Sequence, residues 1–106
     1  MLFYISGPPE APTISGLPSI SLREGDELVL TCISRHGSPL PHLRWMRGGE
    51  IIENQNFTRY EDDRSEAKLF IVVSRSDNNV RYSCQASNGE HFPSVSQTTN
   101  FSVKYF

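Results

Sequence analysis

Apolar and polar residues alternate in short runs along this 106-residue chain, the period of strands with one buried face. Counting by twos places Leu28, Leu30 and Cys32 on the inner face of a strand over 27–34. The same count turns Leu43 and Trp45 inward over 42–47, and Leu69, Ile71 and Val73 over 68–73. Val80, Tyr82, Cys84 and Ala86 follow over 80–87, and Phe101, Val103 and Tyr105 over 97–105. Turn signals separate the runs: Arg23-Glu24-Gly25-Asp26, the loop from His36 to Pro41, Ser74 to Asn79, and Asn88-Gly89. Gly48-Gly49 is a hairpin signal leading into Glu50-Ile51-Ile52. Pro12-Thr13-Ile14-Ser15 and Ser19-Ile20-Ser21-Leu22 form one first strand, broken at Gly16 and Pro18, and an edge position tolerates the proline. Asn54 to Ser65 is polar and irregular, with a short strand near 57–60. Strands this short, with a turn about every ten residues, predict an all-β sandwich rather than a helical domain.

The length suits one domain with a single core. Residues 1–11 read as a linker or the end of a preceding domain, and 12–106 as the folded domain. The prolines of Gly7-Pro8-Pro9-Glu10-Ala11-Pro12 favour extended geometry. Phe101 to Phe106 has the aromatic-apolar texture of Leu2-Phe3-Tyr4-Ile5, as in a repeat cut from a string of similar domains. Met1 is read as the start of a fragment, since Met1 to Ile5 lacks the charged region and length of a signal peptide. No apolar run approaches the ~18 residues of a membrane helix, so this domain is expected to make no direct membrane contact.

Ten Lys and Arg against 12 Asp and Glu leave a net charge of −2, too little positive charge to follow a nucleic-acid backbone. Cys32 and Cys84, with no Cys-x-x-Cys or His/Cys cluster, point to one structural disulfide and an oxidising compartment, extracellular or lumenal. Closing a loop of about 50 residues removes on the order of 4 kcal/mol of unfolded-chain entropy. The alternative is two buried free thiols in a cytosolic domain.

Candidate chemistry is sparse. His36, His42 and His91 have no partners at zinc spacing. Glu61-Asp62-Asp63 with Glu66 lacks the glycine-punctuated pattern of a calcium loop. No nucleophile elbow or phosphate-cradling loop is present, so neither enzyme activity nor a metal or cofactor is expected. Two sequons, Asn56-Phe57-Thr58 and Asn100-Phe101-Ser102, make Asn56 and Asn100 candidate glycosylation sites. On the sheet of 42–47, 80–87 and 97–105, the outward residues are His42, Arg44, Met46, Arg81, Ser83 and Gln85. Met and Arg are enriched at protein interfaces, although an ordinary polar face with packed arginine stems has the same composition. Phe70 and Val72 point outward from the opposite sheet.

The set Cys32, Trp45 and Tyr82-x-Cys84 resembles the immunoglobulin superfamily. The resemblance implies a Greek-key sandwich with Trp45 against the disulfide and Tyr82 at the tyrosine corner. About 40 residues from Trp45 to Cys84 are too few for the extra strands of a variable-type domain, so a two-sheet intermediate-set or constant-2-like form of 7–8 strands is implied. The family's Asp-x-Gly-x-Tyr-x-Cys corner is changed here to Asn78, Val80, Tyr82 and Cys84. Asp77, paired with Arg64 or Arg75, is the expected substitute for its Asp–Arg bridge.

Cys32-x-Ser34-x-x-Gly37-x-Pro39-x-Pro41-x-Leu43-x-Trp45 is similar to constant-2-like domains of nephrin-like cell-adhesion receptors. This implies the ectodomain of a type I membrane protein. Its partner would be the same or a related immunoglobulin-family receptor on an adjacent cell, or the domain would be a rigid spacer. The alternatives are a ligand-binding domain of a signalling receptor and an intracellular structural domain of the giant muscle-protein kind.

Overall fold

The computed structural model describes residues 7–55, 57–89 and 93–104. Ten strand segments are present among them: β1 (Thr13–Ser15), β2 (Leu22–Arg23), β3 (Glu27–Arg35), β4 (His42–Arg47), β5 (Glu50–Ile51), β6 (Arg59–Tyr60), β7 (Arg64–Val72), β8 (Tyr82–Ser87), β9 (Val95–Thr99) and β10 (Val103–Lys104). One four-stranded sheet has the order β1-β3-β7-β6, the other β5-β4-β8-β9, and β10 pairs in parallel with β2. Counting β1 with β2 as a split first strand and β9 with β10 as a split last strand leaves eight strands, a two-sheet immunoglobulin-like sandwich.

The inner faces of the sheets supply the core. Leu28, Leu30, Cys32, Leu43, Trp45, Leu69, Ile71, Val73, Tyr82, Cys84, Ala86, Phe101 and Val103 are buried, and Val80 packs half-buried at the margin. Tyr105 lies outside the described residues. Leu22 and Ala67 join the core without having been marked by the alternation. Cys32 of β3 and Cys84 of β8 are bonded, joining the two sheets, and Trp45 is the register partner of Cys84.

Beyond shifts of one or two residues at strand ends, such as β8 beginning at Tyr82 rather than 80, two elements differ from the alternation-based boundaries. β7 begins at Arg64 rather than 68, and its full length pairs with β3, Arg64 with Arg35 through Val72 with Glu27. Its first half hides from a hydrophobicity count because its inward residues are Ser65 and Ala67. The last strand is interrupted. β9 pairs with β8 as far as Thr99, then Phe101 turns into the core and Val103 continues beside Leu22. The interruption has satisfied hydrogen bonds: Asn79 N–H donates to the Phe101 carbonyl at 2.8 Å, and Val103 N–H to Asn78 Oδ1 at 2.8 Å.

Residues 7–12 lie against the loop that joins β3 to β4. Glu10 N–H donates to the Arg35 carbonyl, and Ser34 Oγ to the Glu10 carbonyl at 2.9 Å. The Asn88 amide, just after β8, donates to the carbonyls of both Gly7 and Pro39. Gly37, at φ +90°, has Pro9 so close that a Cβ would crowd its backbone.

Candidate protein interface

Alternation along β4 and β8 aligns outward residues in rows across the sheet: His42 with Ser87, Arg44 with Gln85, and Met46 with Ser83. Ser96 of β9 extends the Arg44 row, Thr98 extends the Met46 row, and Ile51 of β5 completes the latter on its other side. His42 and Arg44 are exposed, whereas Met46 and Gln85 are half-buried. Ser83 is buried despite facing outward, sharing a hydrogen bond of 3.1 Å with Thr98. His42 Nδ1 lies 3.1 Å from Thr58 Oγ1, whose neighbouring strand thereby fixes the ring.

His42, Arg44 and Gln85 line one shallow depression of about 350 Å³ with Ser87, Gly89 and Ser94. Arg81 is not part of it. It is exposed just before β8 and lines a separate cleft with Thr98, Thr99 and Asn100. The rows just described carry Arg44 and His42 and no carboxylate, so this face donates hydrogen bonds and positive charge. Among the described residues it has no fixed nucleophile or acid–base pair.

Of the sequon residues, Asn100 is exposed between β9 and β10, and Asn56 lies outside the described residues. His91 does too; His36 Nε2 is 3.7 Å from Glu10. Among the described residues no group of three or more His, Cys, Asp or Glu is arranged to hold a metal ion. None of their helices is long and apolar enough to cross a membrane. On the other sheet Phe70 and Val72 are 62% and 70% exposed, so neighbours do not cover them. The Gln55 amide bonds both backbone groups of Phe70, standing in for a neighbouring strand at that edge.

Beneath the sheet of β4, β8 and β9 lies a charged corner. Tyr82 Oη donates to Asp77 Oδ1 at 2.6 Å, Arg47 Nε donates to the same oxygen at 3.2 Å, and Ser74 N–H donates to Oδ2 at 2.9 Å. Arg47 is therefore the partner of Asp77, not Arg64 or Arg75. Arg64 sits at the far end of β7, about 26 Å of extended strand from the corner, and Arg75 turns to Glu24 at 2.6 Å. Arg47 is brought in because it pairs across the sheet with Tyr82. Burial acts to raise the Asp77 carboxyl, but hydrogen bonds from Tyr82, Ser74 and Arg47 outweigh it and hold the group below its ordinary 3.8. Burial, then the bond to Asp77, pushes the Tyr82 phenol up to about 12.

The Tyr82 shift predicts alkaline behaviour. Since its folded value lies above the ordinary 10.0, its contribution is complete below pH 10 and drains as pH rises through about 12. Two pH units correspond to about 3 kcal/mol. In an ultraviolet titration of phenolate absorbance, one of the four tyrosines is expected to ionise late and together with unfolding. Tyr82→Phe removes that late step; a late step surviving in the variant contradicts the assignment.

Two facing sheets pinned through Cys32 and Cys84, with an indole between them and a tyrosine at the corner, define an immunoglobulin-like domain. Residues 11–88 match the family model described as "Immunoglobulin domain", and the chain belongs to that family. It is 36% identical over 86 residues to human kin of IRRE-like protein 3, covering 76% of this chain and 11% of that protein. It is 31% identical over 83 residues to human nephrin, covering 76% and 7%. Mouse cell adhesion molecule 2 is 32% identical over 91 residues, covering 79% and 20%. The chain thus spans about a tenth of the length of its first relatives. The crystal structure of Rst D1-D2 superimposes with a TM-score of 0.78 at 25% identity, over 92% of this chain and 50% of that one.

Proposed function

We propose that this chain is an extracellular recognition domain of a multi-domain cell-adhesion receptor. It binds another protein, an immunoglobulin-family receptor on an adjacent cell, through the outer face of β4, β8 and β9. The observation that carries this is the depression around His42, Arg44 and Gln85, whose lining among the described residues holds no carboxylate, on a disulfide-pinned sheet. Support for the adhesion setting comes from similarity to a relative named as a cell adhesion molecule. The parent chain, in this reading, is a type I membrane protein, and Asn56 carries an N-glycan.

Charge reversal tests the face. Arg44→Glu in the receptor is expected to weaken cell–cell adhesion at least tenfold, because it introduces a like charge against an acidic partner. Arg81→Glu, in a separate cleft, is expected to have a smaller effect. Adhesion unchanged by Arg44→Glu contradicts the contact role and favours the rigid spacer. The packing of residues 7–12 against the β3–β4 loop favours that second role, because it stiffens the chain leading into the domain.

A further inference from the structure

We infer that Asn100 carries an N-linked glycan whose first sugar occupies the cleft between residues 17–22 and the break in the last strand. The inference rests on the extracellular reading above. Phe101, the middle residue of the sequon, is buried and stacked on Tyr82 with ring centroids 5.7 Å apart. Because Phe101 is anchored inward, Asn100 and Ser102 on either side are both exposed. The sequon is therefore presented with its two chemically required side chains toward solvent.

Asn100, Phe101 and Ser102 also form one wall of a cleft of about 260 Å³, whose other wall is Leu17 through Leu22. Leu17 and Ile20 there are 40% and 76% exposed. A sugar tethered at the rim is already at high local concentration, and its C–H face can remove the apolar surface of these side chains from water. The Leu17–Ile20 wall is favoured over the Arg81 cleft, because it supplies large apolar side chains and Arg81, Thr98 and Thr99 supply none. A glycan seated this way leaves His42, Arg44 and Gln85 uncovered, since none of them lines its cleft. In the attachment step, Asn100 Nδ2 attacks C1 of the first N-acetylglucosamine of a lipid pyrophosphate-linked oligosaccharide. The N–C1 bond forms, the C1–O bond breaks, the lipid pyrophosphate leaves and the amide proton passes to the transferase, with no change in oxidation state.

Mass spectrometry of the protein from its native cells is expected to find hexosamine on Asn100 together with an oxidised Cys32–Cys84 pair. An oxidised pair with Asn100 bare overturns the glycan and leaves the extracellular reading standing; reduced cysteines with Asn100 bare overturn both. For the seat, the secreted chain trimmed to a single N-acetylglucosamine is compared with its unglycosylated Ser102→Ala variant by amide hydrogen exchange. Backbone amides of 17 and 19–22 are expected to exchange at least threefold more slowly in the sugar-bearing form. Equal exchange there, or slowing confined to 81 and 98–99, overturns the seat.

Discussion

Replacing both Cys32 and Cys84 by alanine is expected to lower the free energy of unfolding by about 4 kcal/mol. The bond closes a segment with a sequence separation of 52 residues, and freeing it returns loop entropy to the unfolded chain. Both cysteines are fully buried, so the alanines also leave unfilled space at the centre of the core, which adds to the loss. A domain of this size has roughly 5–15 kcal/mol of total stability. The variant is therefore expected to be marginal, with a melting temperature lower by on the order of 20 °C. Urea unfolding of the oxidised chain and the double variant measures the difference directly. A difference below about 1 kcal/mol would mean that hydrophobic packing alone holds the sheets.

The sandwich was legible because burial on one face imposes a period of two, and a slip of one residue would expose every core side chain. Leu28, Leu30 and Cys32 on β3, and Leu43 and Trp45 on β4, are therefore recoverable by counting. Positions where burial is achieved by small polar groups escape such a count. Ser34 and Ser65 are fully buried because each hydroxyl donates to a carbonyl of a proline-rich segment, that of Glu10 or Pro41. Nothing in the residue types Ser34 and Ser65 distinguishes them from exposed serines; their partners lie 24 residues away.

The outward face of β4 and β8 was legible in the same way, through the phase set by Trp45 and Cys84, yet its grouping was not. Phase alone places His42, Arg44, Met46, Arg81 and Gln85 on one side, but only the cross-strand register gathers His42, Arg44 and Gln85 and leaves Arg81 at the far end. The corner illustrates the same limit. Its acid is readable from the displaced motif, whereas the choice of Arg47 depends on which residue of β4 stands beside Tyr82. The signal available in sequence was that Arg47 is the last residue of the Trp45-containing strand, immediately before the Gly48-Gly49 turn.

Asp77→Ala is expected to destabilise the domain by about 3 kcal/mol. The loss falls mainly on Tyr82. Its hydroxyl is buried with Asp77 as partner, and a buried donor left without an acceptor costs about 1–3 kcal/mol. Arg47 contributes less, because its side chain is 39% exposed and water replaces the carboxylate there. The Ser74 N–H loses its bond as well, loosening the turn at Arg75–Asp77 that leads into β8. Asp77→Asn keeps an acceptor for Tyr82 and is expected to cost about 1 kcal/mol. A double-mutant cycle with Tyr82→Phe should give a coupling of about 1–2 kcal/mol, and strict additivity would show that the two side chains do not depend on each other. Acid provides the independent check. The Asp77 carboxyl is held below its unfolded value near 3.8, so its contribution is present above that pH and drains as pH falls below it. The stability of the parent domain should therefore fall more steeply below pH 3.8 than that of Asp77→Asn, while above it the gap between them stays constant.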